Sequence, residues 1–183
     1  FPAGRSTLAY ISGKSEGMKE HIIHPIPPFY DENAEILILG SFPSVKSREQ
    51  MFFYGHPQNR FWKVIALVFE DETPLTIPEK KTFLTKHHIA LWDVIASCDI
   101  KGSSDSSIEN VVANDLSQIL QNAKIRGIFV NGKTAEKYYR KYTEKKTGQK
   151  AVCLPSTSPA NAAWSLERLA LAWDERIHAQ NGD

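Results

Sequence analysis

The sequence predicts an α/β fold, a three-layer α/β/α sandwich around a mostly parallel central sheet. Three observations predict it. Short continuous apolar runs at Ile36–Leu39, Gly127–Val130 and Ala151–Leu154 have the length and composition of strands buried on both faces. Stretches with helical periodicity lie between them, and the alternation of the two patterns is that of βαβ units. A length of 183 residues with 42% hydrophobic content suits one compact domain with a single core.

Taken in order, residues 1–20 are small and polar without a period, and are expected to be a flexible arm or a non-native leader, with Met18 a candidate natural start. The domain proper is expected over 21–183. His24-Pro25-Ile26-Pro27-Pro28 cannot be helical and reads as an extended lead-in. The Ile36–Leu39 strand is stopped by Gly40. Asn59–Phe69 reads as an amphipathic helix that turns Phe61, Trp62, Ile65 and Phe69 inward. Glu79–His88 is a second helix, Ile89–Trp92 a short strand, and Lys101–Ser107 a Gly/Ser-rich loop. A helix over Asp115–Ala123, the Gly127–Val130 strand, a helix over Thr134–Thr143, the Ala151–Leu154 strand and a closing helix over Ala162–Ala179 complete the chain.

Composition removes several classes. Two cysteines far apart, Cys98 and Cys153, exclude a disulfide scaffold and four-cysteine metal centres, and both sit among apolar neighbours as inert core thiols. His21, His24 and the His87-His88 pair lack ligand spacing and read as solvated, so no metal is expected. No apolar run is long enough to span a membrane. A reducing, intracellular (cytoplasmic) setting is expected. Net charge is +1, against a protein that coats DNA through bulk charge. Lys124–Lys150 is nonetheless rich in base, either a solvated helix face or a phosphate-facing patch. Gly127–Thr134 satisfies the phosphate-loop pattern GxxxxGK[ST], but its middle residues are strand formers, so nucleotide hydrolysis is declined.

In open α/β sheets ligands bind at the carboxyl ends of strands. Two loops there are chemically unusual. The first is Gly40-Ser41-Phe42-Pro43-Ser44, followed by Tyr54-Gly55-His56-Pro57-Gln58-Asn59-Arg60-Phe61-Trp62-Lys63-Val64-Ile65. The second is Pro155-Ser156-Thr157-Ser158-Pro159-Ala160-Asn161. This pair resembles the two motif regions of the mismatch-specific uracil/thymine glycosylases in the uracil-DNA glycosylase superfamily. The departures matter as much: the position of the usual first-motif Asp or Asn is Phe42, which cannot hold a water, and that of the usual second-motif His or Asn is Ser156. Such a pair is similar to the deoxyinosine (hypoxanthine) branch.

The resemblance implies a monofunctional DNA glycosylase of that fold. It would act as a monomer, without a cofactor, on double-stranded DNA carrying a deaminated base, with hypoxanthine preferred. Neither Gly40–Ser44 nor Ser156–Asn161 contains a lysine for Schiff-base chemistry. A mismatch uracil/thymine glycosylase and a catalytically dead nucleic-acid-binding module are the alternatives. A base must leave the stack to be reached, so a pocket for a flipped nucleotide is required. Asn59 is implied as the catalytic residue, orienting water on the developing oxocarbenium ion, although Asn is equally a favoured helix cap. Gly40, Ser41, Phe42, Pro43, Tyr54, His56, Asn131 and Ser156 are expected around the base. Ser44, Lys46, Ser47, Thr157, Ser158, Pro159, Ala160 and Asn161 are expected against DNA, the hydroxyls at phosphates and Ala160-Asn161 where a wedge would enter the stack.

Overall fold

The structure, a computed structural model, describes residues 18–179. The expected N-terminal arm therefore lies outside the described residues up to position 17, and its last residue, Glu20, already opens strand β1, Glu20–Ile23. The parallel sheet consists of β2 (Ile36–Gly40), β3 (Ile89–Asp93), β6 (Gly127–Asn131) and β7 (Ala151–Leu154) in the order β3-β2-β6-β7. Residue Ile38 of β2 lies between Leu91 of β3 and Phe129 of β6, and Phe129 in turn pairs with Val152 of β7. The crossover from β2 leads outward to β3, and that from β6 leads outward to β7. The two diverge at the carboxyl ends of the central strands and open a crevice there.

Alternation of side chains along β2 builds both halves of the core. Ile36 and Ile38 face one way, with Phe129, and meet Phe61, Trp62 and Ile65 of α2 (Phe61–Val68) and Leu169, Trp173 and Ile177 of α7 (Leu166–Ala179). Leu37 and Leu39 face the other way, with Ile128 and Val130. There they meet Ile119 of α4 (Ser117–Asn122) and Ala135 of α5 (Lys133–Tyr138). Each of the large buried side chains contributes about 1.5–3 kcal/mol of transfer free energy. Two further helices lie early in the chain, α1 (Val45–Gln50) and α3 (Ile77–Lys86), the latter started by a Thr76/Glu79 capping box.

The structure adds a second sheet that the sequence does not advertise. Strands β1, β4 (Ile95–Ile100) and β5 (Glu109–Ala113) pair antiparallel in the order β1-β4-β5. Only Val94 separates β3 from β4, so one stretch of chain serves both sheets. Val94 and Ile95 donate their backbone N–H groups to the carbonyls of Gly40 and Ser41, at 2.8 and 3.1 Å.

Several boundaries move. The helix expected over Thr134–Thr143 is α5 followed by a π-helical turn, Tyr139–Thr143, and a short α6, Glu144–Thr147. The closing helix begins at Leu166 rather than Ala162, where the Ser165 hydroxyl accepts from Arg168 N–H at 3.1 Å. Gly127–Asn131 is strand throughout, leaving only Gly132–Thr134 of the phosphate-loop pattern outside β6, too little to wrap a phosphate.

Candidate active site

The first-motif loop, the Tyr54–Arg60 segment and the second-motif loop converge at the carboxyl ends of β2, β6 and β7. A chain of part-buried polar contacts joins the last two to β6, and Gly40 of the first lies against the Tyr54 hydroxyl. Asn131, at the end of β6, donates from Nδ2 to Thr157 Oγ1 at 3.0 Å and to the Tyr54 hydroxyl at 3.3 Å. Its Oδ1 accepts from Thr157 N–H at 3.1 Å. Thr157 Oγ1 donates onward to Asn59 Oδ1 at 2.9 Å. That same Asn59 oxygen accepts from Phe61 N–H at 2.9 Å, which caps the first turn of α2 although the helix starts one residue later than a formal cap at Asn59 would give.

Both lone pairs of the Asn59 carbonyl are therefore occupied by protein donors. The water-accepting role expected for this amide has no acceptor left. Its N–H2, which has no protein acceptor among the described residues, is what Asn59 can offer a ligand.

Arg60 fastens the second-motif loop to α2. Its guanidinium donates to the carbonyls of Asn161 (2.9 Å), Ser158 (3.4 Å) and Trp164, and its backbone N–H to Thr157 O (3.1 Å). The loop also closes on itself: Ser156 Oγ accepts from Ser158 N–H, Ser158 Oγ from Ala160 N–H, and Asn161 Nδ2 donates to Ser156 O. Pro159 and Ala160 stand exposed at its tip. Gly132, at φ 97°, lets β6 turn beside this loop, and a side chain there would come within 3.1 Å of Ser156 Cβ.

Gly40 is needed for close approach. A Cβ at this position would lie 2.5 Å from Asp93 Oδ1 and 3.2 Å from the Tyr54 hydroxyl. Asp93 is buried and bonded at 2.7 Å to His24 Nε2. Ile26 N–H donates to His24 Nδ1, so Nε2 carries the proton and donates it to the carboxylate. His24 is thus not the solvated histidine expected; its side chain is 3% exposed and its ring meets Phe42 and Trp92 edge-on.

Several expected contact residues sit elsewhere than a ligand could reach. The Phe42 ring, 9% exposed, is packed against His24 with Arg48 above it, so only its backbone remains for a base. Pro43 is buried beside it. Ser47 (2% exposed) and Thr157 (0%) are inside the protein rather than at phosphates. Ser47 Oγ accepts from Gly55 N–H, and Ser44 caps α1 by accepting from Ser47 N–H. Lys46 is exposed beside Glu49, and Ser158 is half-buried. Tyr54, held at φ 54°, stacks one ring face on Phe61 at 4.0 Å, which leaves the opposite face for a base. Burial and the Asp93 charge push its phenol well above the usual range, so it stays neutral. Half-buried His56 accepts from Gln58 N–H at Nδ1. Burial lifts the Cys98 thiol to about 11, consistent with an inert thiol.

Asp93, His24, Arg60 and Asp105 are the cleft residues that sequence reasoning did not select. Asp93 directly follows an apolar run, and that was the available signal. Asp105 was hidden in a loop defined only by its glycine and serines.

Residues 27–175 match the profile of the Uracil DNA glycosylase superfamily. A protein of Methanosarcina acetivorans named hypoxanthine DNA glycosylase is 38% identical over 144 residues, covering 78% of this chain and 90% of its own. One of the same name from Methanosarcina barkeri is 32% identical over 151 residues, covering 81% and 94%. The solution NMR structure of a candidate uracil DNA glycosylase from Methanosarcina acetivorans superposes with a TM-score of 0.73 at 32% identity, over 87% of this chain and 99% of that one.

Proposed function

Because the chain belongs to the Uracil DNA glycosylase superfamily, we propose that it hydrolyses the N-glycosidic bond of hypoxanthine in DNA, leaving an abasic site. The observation that carries this reading is the Asn59–Thr157–Asn131–Tyr54 chain of hydrogen bonds, which ties the second-motif loop and the Tyr54–Arg60 segment together at the carboxyl end of β6, against Gly40 of the first-motif loop. The relatives' shared name supplies the base. The cleft supplies a neutral aromatic platform at Tyr54 and backbone amides at Ser41 and Phe42. At the first-motif position it has no carboxylate, which fits a branch that departs from uracil chemistry.

The substrate is duplex DNA with one nucleotide flipped into the cleft, and the protein acts as a monomer inside the cell. Among the described residues, no helix is long and apolar enough to cross a membrane. Bond breaking leaves positive charge on the sugar and negative charge on the base. The free N–H2 of Asn59 and the strand-end amides meet the negative charge with fixed donors. The lysine-free motif loops make the enzyme a simple hydrolase.

The test is single-turnover cleavage of duplex oligonucleotides carrying hypoxanthine, uracil or xanthine. Release of hypoxanthine well ahead of uracil is expected. Preferential release of mispaired uracil or thymine would move the chain to the mismatch-directed enzymes. Tight binding with no release from any substrate would make it a binding module.

A further inference from the structure

The loop between β4 and β5 folds back over the first-motif loop and α1 and is tied to the two at three points, once to the loop and twice to the helix. Val45 N–H donates to Ser103 Oγ at 2.9 Å, Arg48 Nη2 to Gly102 O at 3.1 Å, and Ser41 Oγ to Asp105 Oδ1 at 3.1 Å. The hydroxyl of Thr134, two residues into α5, lies near the Asp105 carboxyl. Ser41 follows the end of β2, and Thr134 follows the end of β6. Asp105 therefore lies at the mouth of the crevice between the two central strands, bonded on the β2 side through Ser41, where ligands of such sheets bind. Asp105 itself is exposed to solvent.

We propose that Asp105 donates the proton that lets the purine leave, a role that rests on the hypoxanthine reading above. A purine carries a basic ring nitrogen, N7, close to the bond that breaks. In this step the carboxyl proton passes to N7 as the C1′–N9 electron pair moves onto the ring, and hypoxanthine departs neutral. Water oxygen then bonds C1′; one of its protons stays on the new hydroxyl and the other restores the Asp105 carboxyl.

The neighbouring groups do not supply this proton. Asp93 is buried and receives the His24 proton. The Tyr54 phenol is too weak an acid, and Phe42 has none to give. Around Asp105, surrounding protein and the Asp93 charge raise the carboxyl above its ordinary range, and the Ser41 hydrogen bond with the nearby Thr134 hydroxyl only partly opposes them. That direction brings an aspartate toward the pH at which an acid catalyst works best. Cys98 of β4 and Tyr138 of α5 also face it, and Arg48 of α1 holds the same loop at Gly102.

The experiment is the pH profile of single-turnover hypoxanthine release for the wild type, Asp105→Asn and Ser41→Ala. Wild-type release should fall as pH rises through the Asp105 ionisation. Asp105→Asn keeps an acceptor for Ser41; it should slow release by about 10²–10⁴-fold and abolish the falling limb. Ser41→Ala removes a bond that favours the carboxylate, so the limb should move to higher pH. Binding of an abasic-site duplex reports that each variant is folded. Wild-type release by Asp105→Asn, or equal slowing at every pH with the limb intact, overturns the proposal. So does an unmoved limb in Ser41→Ala, which decides the matter even if Asp105→Asn does not fold. A wild type that releases no hypoxanthine defeats the functional reading itself, before any variant is compared.

Discussion

At Asn59 one carbonyl oxygen holds the start of α2 and the Thr157 hydroxyl, so local structure and site geometry are fixed by the same atom. Two substitutions separate the consequences. Asn59→Asp keeps both accepted bonds but replaces the free N–H2 with negative charge beside the base that takes up the bond's electron pair. Melting should stay near the wild type, while single-turnover release drops by about 10²–10³-fold, the usual loss for one transition-state donor. Asn59→Ala should lose a similar factor in rate and about 1 kcal/mol of stability in addition. An Asn59→Asp protein that excises at the wild-type rate would leave Asn59 a purely structural residue. The resemblance of His-Pro-x-Asn-Arg to the family motif made Asn59 legible, where the residues alone indicate a helix cap. The occupancy of its oxygen was not, because Thr157 lies 98 positions away in the chain.

Among elements, the strands buried on both faces were legible as continuous apolar runs: β2, β6 and β7 appear where the sequence places them, within a residue. The antiparallel sheet was not. Strand β4 alternates irregularly, with Ser97 and Asp99 in partly exposed positions and register shifts at both, and β5 contains Asn110 at φ 54°. Such bulges erase the two-residue period on which strand recognition depends. The second-motif loop was recognised by its hydroxyls, but the structure divides their labour: Thr157 faces inward while Ser158 stays near the surface. Ser158→Glu should therefore weaken binding to damaged and undamaged duplexes by the same factor, measured by titration at fixed salt. A loss confined to hypoxanthine-containing DNA would place Ser158 at the base instead.

For the molecule as a whole, a net charge of +1 conceals an uneven distribution. Lys133, Lys137, Arg140, Lys141, Lys145 and Lys146 are exposed along α5, the π-helical turn and α6. Only the first of them adjoins the cleft, since Lys133 follows Gly132, which packs beside Ser156. The two readings of this stretch thus apply to different parts of it. Lys133→Glu should reduce the salt dependence of DNA binding by about one unit of slope in log K against log salt. Lys145→Glu, near the far end of the run, should leave the slope unchanged. Equal slopes for both variants would make the entire run a solvated face.

The junction at Val94 carries a further consequence. The amide of Val94 is held by Gly40, the last residue of β2, whereas that of Ile95 is held by the carbonyl of Ser41, just beyond the strand in the first-motif loop. Exchange of the Ile95 amide with deuterated solvent is consequently gated by that loop, whereas the amides of Val94, Leu37 and Ile38 are gated by the sheet itself. That one probe, with Val94 beside it as the reference, thus acts as a clock for the opening that admits a nucleotide, and a bound abasic-site duplex would slow that clock without altering the rest of the core.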